Sequence, residues 1–356
     1  MKKHNFSPGP AILPAAVLEQ AAKGVLDLND SGLSILEISH RGTAFTAIIE
    51  EAEHLIRTLL NVSDQYEVLF LTGGASTQFF MVPMNLLNES DTACYVDTGT
   101  WANKAIKEAK LFGKIEVLAS SKEQQYTFIP KDYEVPASAK YLHLTSNNTI
   151  FGTQYHWLPQ TAVPLVSDMS SDFMSRPIET ERFGLIYAGA QKNVGPAGVT
   201  IVIVRKDLLG KVNRNLPSML NYQTFAAEKS LYNTPPVFPI YVSLLTMRWI
   251  KERGGLAAVA KYNEEKAQML YDEIDSNPLF VGTAAKEDRS LMNVTFLATK
   301  AEFEQPFLEA CKGAGIVEIK GHRSVGGFRA SIYNAMPKES VQVLVDVMRD
   351  FAMSQG

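Results

Sequence analysis

Two rhythms of apolar residues alternate along most of the chain. Between Thr46 and Leu60, the positions Ile48, Ile49, Ala52, Leu55, Ile56, Leu59 and Leu60 recur at three- and four-residue spacing. That spacing predicts a helix with one buried face. Residues 67–71 form a short run instead, unbroken and apolar after Glu67, the mark of a strand covered on both sides. It ends in Thr72-Gly73-Gly74-Ala75-Ser76-Thr77, with a helix predicted over 78–87. Further strands are predicted at 92–96, 115–118, 141–144, 163–166, 185–187 and 199–204, and a helix at 101–111. Such alternation predicts an α/β fold with a mostly parallel sheet sandwiched by helices. Ligands of these sheets gather at the C-terminal strand ends. Here those ends carry Thr72-Gly73-Gly74, Asp97-Thr98-Gly99-Thr100-Trp101 and Asp168.

The two ends of the chain read differently. Pro8, Gly9, Pro10 and Pro14 mark an extended arm, and a helix follows to about residue 28 with Pro14 near its first turn. Past Gly254-Gly255, a long helix is predicted at 256–274, an alternating half-exposed strand at 291–297 and a helix at 302–314. A strand at 326–332 and an amphipathic helix at 340–353 complete the series. The expected division is a large domain over 15–255 and a smaller α+β domain over 256–356, with the arm 1–14 assigned to the smaller one.

Composition narrows the classes. The 356 residues are 46% hydrophobic and 20% charged, as in a soluble globular protein. A net charge of -4 with no basic block argues against nucleic acid as a partner. No apolar stretch is long enough to span a bilayer, and the first ten residues lack the apolar segment of a signal peptide. Cys94 and Cys311 have no metal-ligand spacing, and none of the six histidines forms HExxH. The expectation is a cytoplasmic protein without metal.

The chemistry concentrates around Lys192. It lies on a turn of small residues, Ala188-Gly189-Ala190-Gln191-Lys192-Asn193, between two apolar runs. Asp168 ends another apolar run 24 positions earlier (192 minus 168). A lysine amine and a strand-end carboxylate are what pyridoxal phosphate (PLP) chemistry requires: one forms a Schiff base with the aldehyde, the other keeps the pyridine nitrogen protonated. A solvated turn lysine is the ordinary alternative, so the neighbouring motifs decide. Residues 72–77 join a strand to a helix, where the Ala75 and Ser76 amides suit a phosphate. No Gly-Lys-Ser/Thr follows, which excludes a Walker A loop. Trp101 suits stacking on a planar ring, Thr149 a bond to the ring oxygen, and Gln191 the phosphate. His40 and Arg41 form one cationic pair, and His322, Arg323 and Arg329 another group, which together suit a substrate with more than one anionic group. Tyr232-Asn233-Thr234-Pro235-Pro236 is rigid and extended, fit to present Asn233 and Thr234 to a neighbour.

These motifs are similar to those of a known family over nearly the whole chain. Asn5-Phe6-Ser7-Pro8-Gly9-Pro10, Ser39-His40-Arg41-Gly42, Tyr187 to Asn193, Tyr232 to Pro236 and Gly321-His322-Arg323-Ser324-Val325-Gly326-Gly327-Phe328-Arg329 carry the likeness. The sequence resembles the phosphoserine aminotransferases, fold-type I PLP enzymes of the class V aminotransferase group. The resemblance implies a seven-stranded sheet, with Lys192 as Schiff-base lysine and Asp168 as partner of the ring nitrogen. It implies that Trp101 stacks on the ring and that Thr149 bonds its oxygen. Ala75, Ser76 and Gln191 would hold the phosphate, with Asn233 and Thr234 from the other subunit of a homodimer. Arg329 would take the substrate α-carboxylate, and His40, Arg41, His322 and Arg323 the distal anion. The implied reaction is transamination between glutamate and 3-phosphooxypyruvate, giving O-phospho-L-serine and 2-oxoglutarate in serine biosynthesis. 4-Phosphohydroxy-L-threonine of pyridoxine biosynthesis is a second candidate substrate. The alternatives are an aminotransferase of the alanine–glyoxylate or serine–pyruvate type and a non-catalytic PLP-binding module. One departure stands out: some relatives carry Arg-Gly after Gly-Gly-Ala, where this chain has Ser76-Thr77.

Overall fold

Six of the apolar runs become strands that are buried on both faces, and this is why they lack an alternating pattern; the run at 115–118 becomes a largely exposed edge strand. In the computed structural model, which describes residues 3–355, these seven strands form one sheet. They are β1 (Tyr66–Leu71), β2 (Thr92–Asp97), β3 (Lys114–Ser120), β4 (Leu142–Thr145), β5 (Leu165–Asp168), β6 (Phe183–Gly189) and β7 (Thr200–Arg205), in the order β1-β7-β6-β5-β4-β2-β3. Successive residues of β6 enter different cores: Ile186 and Ala188 pack on one side, Leu185 and Tyr187 on the other. The first side is covered by α1 (Ala15–Leu26) and α2 (Thr43–Leu60), the second by α3 (Gly74–Leu86) and α4 (Thr100–Ala109). Only β7 runs against its neighbours. The C-terminal ends of the other six strands therefore share one edge of the sheet.

The helix Val237–Glu252 had no counterpart in the sequence reading. Nine of its residues, from Ile240 to Ile250, are buried, so it is apolar nearly all round and shows no amphipathic stripe. The helix α3 starts at Gly74 rather than 78, which puts Ala75 and Ser76 inside its first turn.

A second, antiparallel sheet contains β8 (Phe280–Gly282), β9 (Asn293–Ala298) and β10 (Phe328–Ser331). Phe280, Phe296, Phe307, Phe328 and Phe351 pack into its core together with Phe6 from the N-terminal arm. The arm reaches this core because His4–Asn5 pairs in parallel with Ile316–Val317. Just past β10 the chain is fastened to the lysine turn. Asn334 N–H donates to Asn193 Oδ1 at 3.0 Å, and the buried Lys266 ammonium donates to the carbonyls of Ile332, Tyr333 and Met336.

Under the site, His143 of β4 bonds the Tyr187 hydroxyl through Nε2 at 2.9 Å and stacks on Tyr95 at 4.7 Å. Burial pulls its pKa down to about 3, so the ring is neutral in the fold. The unfolded ring titrates near 6.5. The stability this arrangement confers is therefore present above pH 6.5 and is lost as pH falls toward 3. A loss on the order of 1 kcal/mol per pH unit is expected within that window. Urea midpoints at pH 7, 5 and 4 should fall less for His143→Gln than for the wild type; parallel losses would show that another group governs acid unfolding.

Candidate functional site

The ends of β1, β2, β4, β5 and β6 each contribute to a single cavity. It measures about 140 Å³ and is lined by Ala75, Ser76, Trp101, Thr149, Asp168, Gln191 and Lys192, together with Phe79, Thr145, Asn147, Ser170 and Ser171. A larger cavity of about 340 Å³ is lined by Leu144, Ser167 and Met169 and holds none of the seven residues named first. Strand alternation explains the split, because Thr145 and Asp168 point to the face opposite Leu144 and Ser167. The smaller cavity carries the chemistry.

Lys192 Nζ donates to Thr149 Oγ1 at 2.7 Å. Burial brings its ammonium down to about 8; the Asp168 carboxylate opposes that fall, and the Arg329 charge adds to it. The N-terminal arm presses on the lysine stem. A Cβ on Gly9, whose φ is +141°, would lie 3.3 Å from Lys192 Cγ. The arm is pinned on both sides, by Tyr333 Oη donating to Pro8 O at 2.7 Å and Ala11 N–H to Gln191 O at 2.8 Å.

Asp168 is buried, and burial pushes its carboxyl upward. Two bonds from Ser170 to Oδ1, from N–H at 2.9 Å and Oγ at 2.6 Å, work against that rise, as does Lys192. Ser170 Oγ is itself held by the Gly189 N–H at 3.1 Å. Both bonds fall on Oδ1, so Oδ2 is the oxygen available to a ligand. A buried carboxylate that leans on Lys192 alone for positive charge is suited to a cationic ring N–H.

The first turn of α3 has no side-chain cap, and its N-cap Gly73 has φ +93°. The amides of Gly74, Ala75 and Ser76 therefore point past the helix end as free donors, a ready anion cup. Thr77 Oγ1 donates back to Gly73 O at 2.8 Å, which commits that hydroxyl to the turn. Trp101 opens α4 and packs 6.5 Å from Phe79, and its Nε1 is buried without a partner. A buried amine, a buried carboxylate, an uncapped helix start and an indole around one small cavity fit the amine-reactive, anionic, planar PLP.

The cationic residues divide. Arg329 is buried in β10 with Nε unpartnered, and its charge reaches Lys192. His322 and Arg323 precede it on a turn, where His322 Nδ1 accepts the Ser324 N–H at 3.2 Å. That assigns the proton of a neutral ring to Nε2. None of the cationic residues His40, Arg41, His322, Arg323 and Arg329 lines the cavity, nor do Asn233 and Thr234; His322 and Arg329 line a separate small pocket with Thr295 and Phe328. Arg41 instead reaches Leu231 O at 3.5 Å, two residues before Asn233. These two segments form one surface patch, with Asn233 and Thr234 exposed and His40 Nε2 unpartnered.

Sequence reasoning missed Ser170 and Gly9. The Asp-x-Ser spacing at a strand end was a usable signal for Ser170. Nothing local pointed to Gly9, whose partner is 183 positions away (192 minus 9). Among the described residues no His, Cys, Asp and Glu cluster suits a metal, and no helix is long and apolar enough to cross a membrane.

The family description "Aminotransferase class-V" matches residues 3–344. A phosphoserine aminotransferase of Flavobacterium johnsoniae is 59% identical over 350 residues, covering 98% of each chain. The solved phosphoserine aminotransferase from Bacillus circulans subsp. alkalophilus superposes with a TM-score of 0.97 at 50% identity, over 100% of this chain and 99% of that one. The PLP-bound phosphoserine aminotransferase from Trichomonas vaginalis superposes with a TM-score of 0.92 at 39% identity, over 98% of this chain and all of the other. The family description and these full-length relatives establish that the chain belongs to the class V aminotransferases.

Proposed function

We propose that the chain transfers the amino group of glutamate to 3-phosphooxypyruvate, reversibly, giving 2-oxoglutarate and O-phospho-L-serine. The observation that carries this reading is the convergence of Lys192, Asp168 and the α3 start on one cavity, in a chain 59% identical to a phosphoserine aminotransferase. The cofactor is pyridoxal phosphate. Bound here, it supplies an aldehyde for an amine and a ring that takes up electrons.

The chain's own residues do the rest. Lys192 Nζ holds the cofactor, and with an ammonium at about 8 the freed amine has a sizeable neutral fraction near neutral pH. That amine would take the proton from the substrate α-carbon as general base and, as general acid, give it up at the carbon that keeps the amino group rather than at the α-carbon. Asp168 holds the ring nitrogen in its protonated form. Thr149 Oγ1, already bonded to Nζ, aligns the amine and serves the ring oxygen. Trp101 covers the ring, and the Ala75 and Ser76 amides with Gln191 hold the cofactor phosphate. Arg329 takes the α-carboxylate through its planar fork. His322 and Arg323 meet the distal anion. Because one cationic site serves both the glutamate and phosphoserine pairs, the first keto acid leaves before the second enters, and ping-pong kinetics follow.

Two copies complete each site. The exposed Asn233 and Thr234 extend to the phosphate of a neighbouring copy in a homodimer. His40 and Arg41 travel with them, since Arg41 is bonded to Leu231 O. The division into 15–255 and 256–356 with 1–14 is supported by the separate aromatic core that Phe6 enters. A cytoplasmic location agrees with two buried, unpaired cysteines. The product feeds serine biosynthesis, and 4-phosphohydroxy-L-threonine of pyridoxine biosynthesis has the same anionic ends.

A substrate panel tests the reading. O-phosphoserine should be transaminated with a kcat/KM at least about a hundredfold above those of serine and alanine, since unpaired cations would otherwise face the bound substrate. Equal use of alanine would favour the alanine–glyoxylate type. A PLP-loaded protein that transaminates none of them would favour the binding module.

A further inference from the structure

We propose that Lys104 is a specificity-determining residue of this site, its ammonium binding the distal phosphate of the substrate at the mouth of the Lys192 cavity beside His322 and Arg323. The proposal rests on the reaction assigned above. Lys104 stands one turn after Trp101 on α4, and its Nζ lies 4.6 Å from the centroid of the Trp101 indole. That indole lines the cavity. Lys104 is exposed, and among the described residues it forms no ion pair; its ammonium rests on the indole. The ring face steadies a flexible stem and leaves all three N–H donors free for an anion.

His322 and Arg329 line a small pocket of their own, and Lys104 is near enough for its charge to act on His322. Burial lowers the His322 pKa first, and the charges of Arg329, Arg323 and Lys104 lower it further. No carboxylate figures among those influences. The three cations that act on His322 are set against one carboxylate, Glu318, which acts on Arg329, and that excess of positive charge leaves a place for an anion. The start of α3 brings no charge to it, because Ser76 is neutral and the Thr77 hydroxyl is bonded to Gly73 O. Lys104 is the cation that α4 contributes. A compact ammonium on a mobile stem also suits a phosphate that must enter and leave each cycle, whereas the buried fork of Arg329 suits a fixed carboxylate.

The test uses the PLP-loaded enzyme with Lys104→Met, which keeps an apolar stem on the indole, and Lys104→Arg, which keeps the charge. Four quantities are measured: KM for O-phosphoserine, KM for glutamate, inhibition by inorganic phosphate, and the visible spectrum of the bound cofactor. Lys104→Met should raise KM for O-phosphoserine and the phosphate inhibition constant about tenfold. KM for glutamate should rise less, since its distal carboxylate carries one charge against nearly two on a phosphate. The spectrum and kcat should stay within about twofold, and Lys104→Arg should recover most of the affinity. Unchanged KM and inhibition would overturn the assignment. So would equal loss for both substrates with a shifted spectrum, which would make Lys104 a packing support for Trp101. A wild type that ignores O-phosphoserine overturns the reaction and the assignment together, whereas wild-type turnover with an unresponsive Lys104→Met overturns the assignment alone.

Discussion

Lys192→Ala is expected to abolish the visible absorbance that PLP acquires on the protein and to lower turnover by about 10⁴-fold or more. Two losses combine. The covalent attachment point disappears, and so does the base that moves the α-proton. The surroundings that make the amine suitable stay in place: Thr149 Oγ1 2.7 Å from the former Nζ, Asp168 below, and Gly9 against the stem. This permits a control for misfolding. A small primary amine such as ethylamine fits the space left by the side chain and should restore part of the rate, rising with the concentration of its neutral form. Thermal unfolding should change little, because a buried ammonium whose pKa is drawn down to about 8 is not a stabilising group at neutral pH. A variant retaining even a tenth of wild-type turnover would remove Lys192 from the centre of the mechanism.

Much of this site could be read from the chain because its parts are local. A strand buried on both faces is an apolar run, its end is a turn, and the turn residue is the functional one; Asp168 and Lys192 follow that rule. The missed parts depend on distance or on burial without period. The helix Val237–Glu252 is apolar on every side, so no stripe announced it. The start of α3 lay hidden in Gly74-Ala75-Ser76-Thr77, because a glycine N-cap and glycine first residue resemble a loop. Gly9 matters through a contact with Lys192 that only the folded arm creates. The cationic motifs were visible as motifs, but their destinations were not. The Arg329 charge acts on Lys192 because β10 is fastened beside the lysine turn, whereas Arg41 turns to the Leu231 carbonyl on an exposed face. Spacing along a chain cannot distinguish these two fates.

Asp168→Asn isolates the charge opposite the cofactor ring with little change of shape. The amide oxygen can still accept the Ser170 N–H and hydroxyl bonds that now fall on Oδ1. What is lost is the negative charge, which burial makes costly and which only a positive partner can repay. Without it the ring nitrogen has no reason to keep its proton, and the electron demand of α-proton removal is poorly met. A fall in kcat of about a thousandfold is expected, within the range for a mispolarised catalytic group, with PLP affinity weakened about tenfold. A second signature follows from electrostatics. Asp168 holds the Lys192 pKa up against burial, so in Asp168→Asn the free amine should titrate below its present value of about 8. The pH at which the cofactor-free protein becomes reactive toward PLP should move down accordingly, while in Asp168→Glu it should stay near the wild-type position. Turnover within about threefold of wild type, with an unmoved pH profile, would mean that the charge opposite the ring is supplied by another residue.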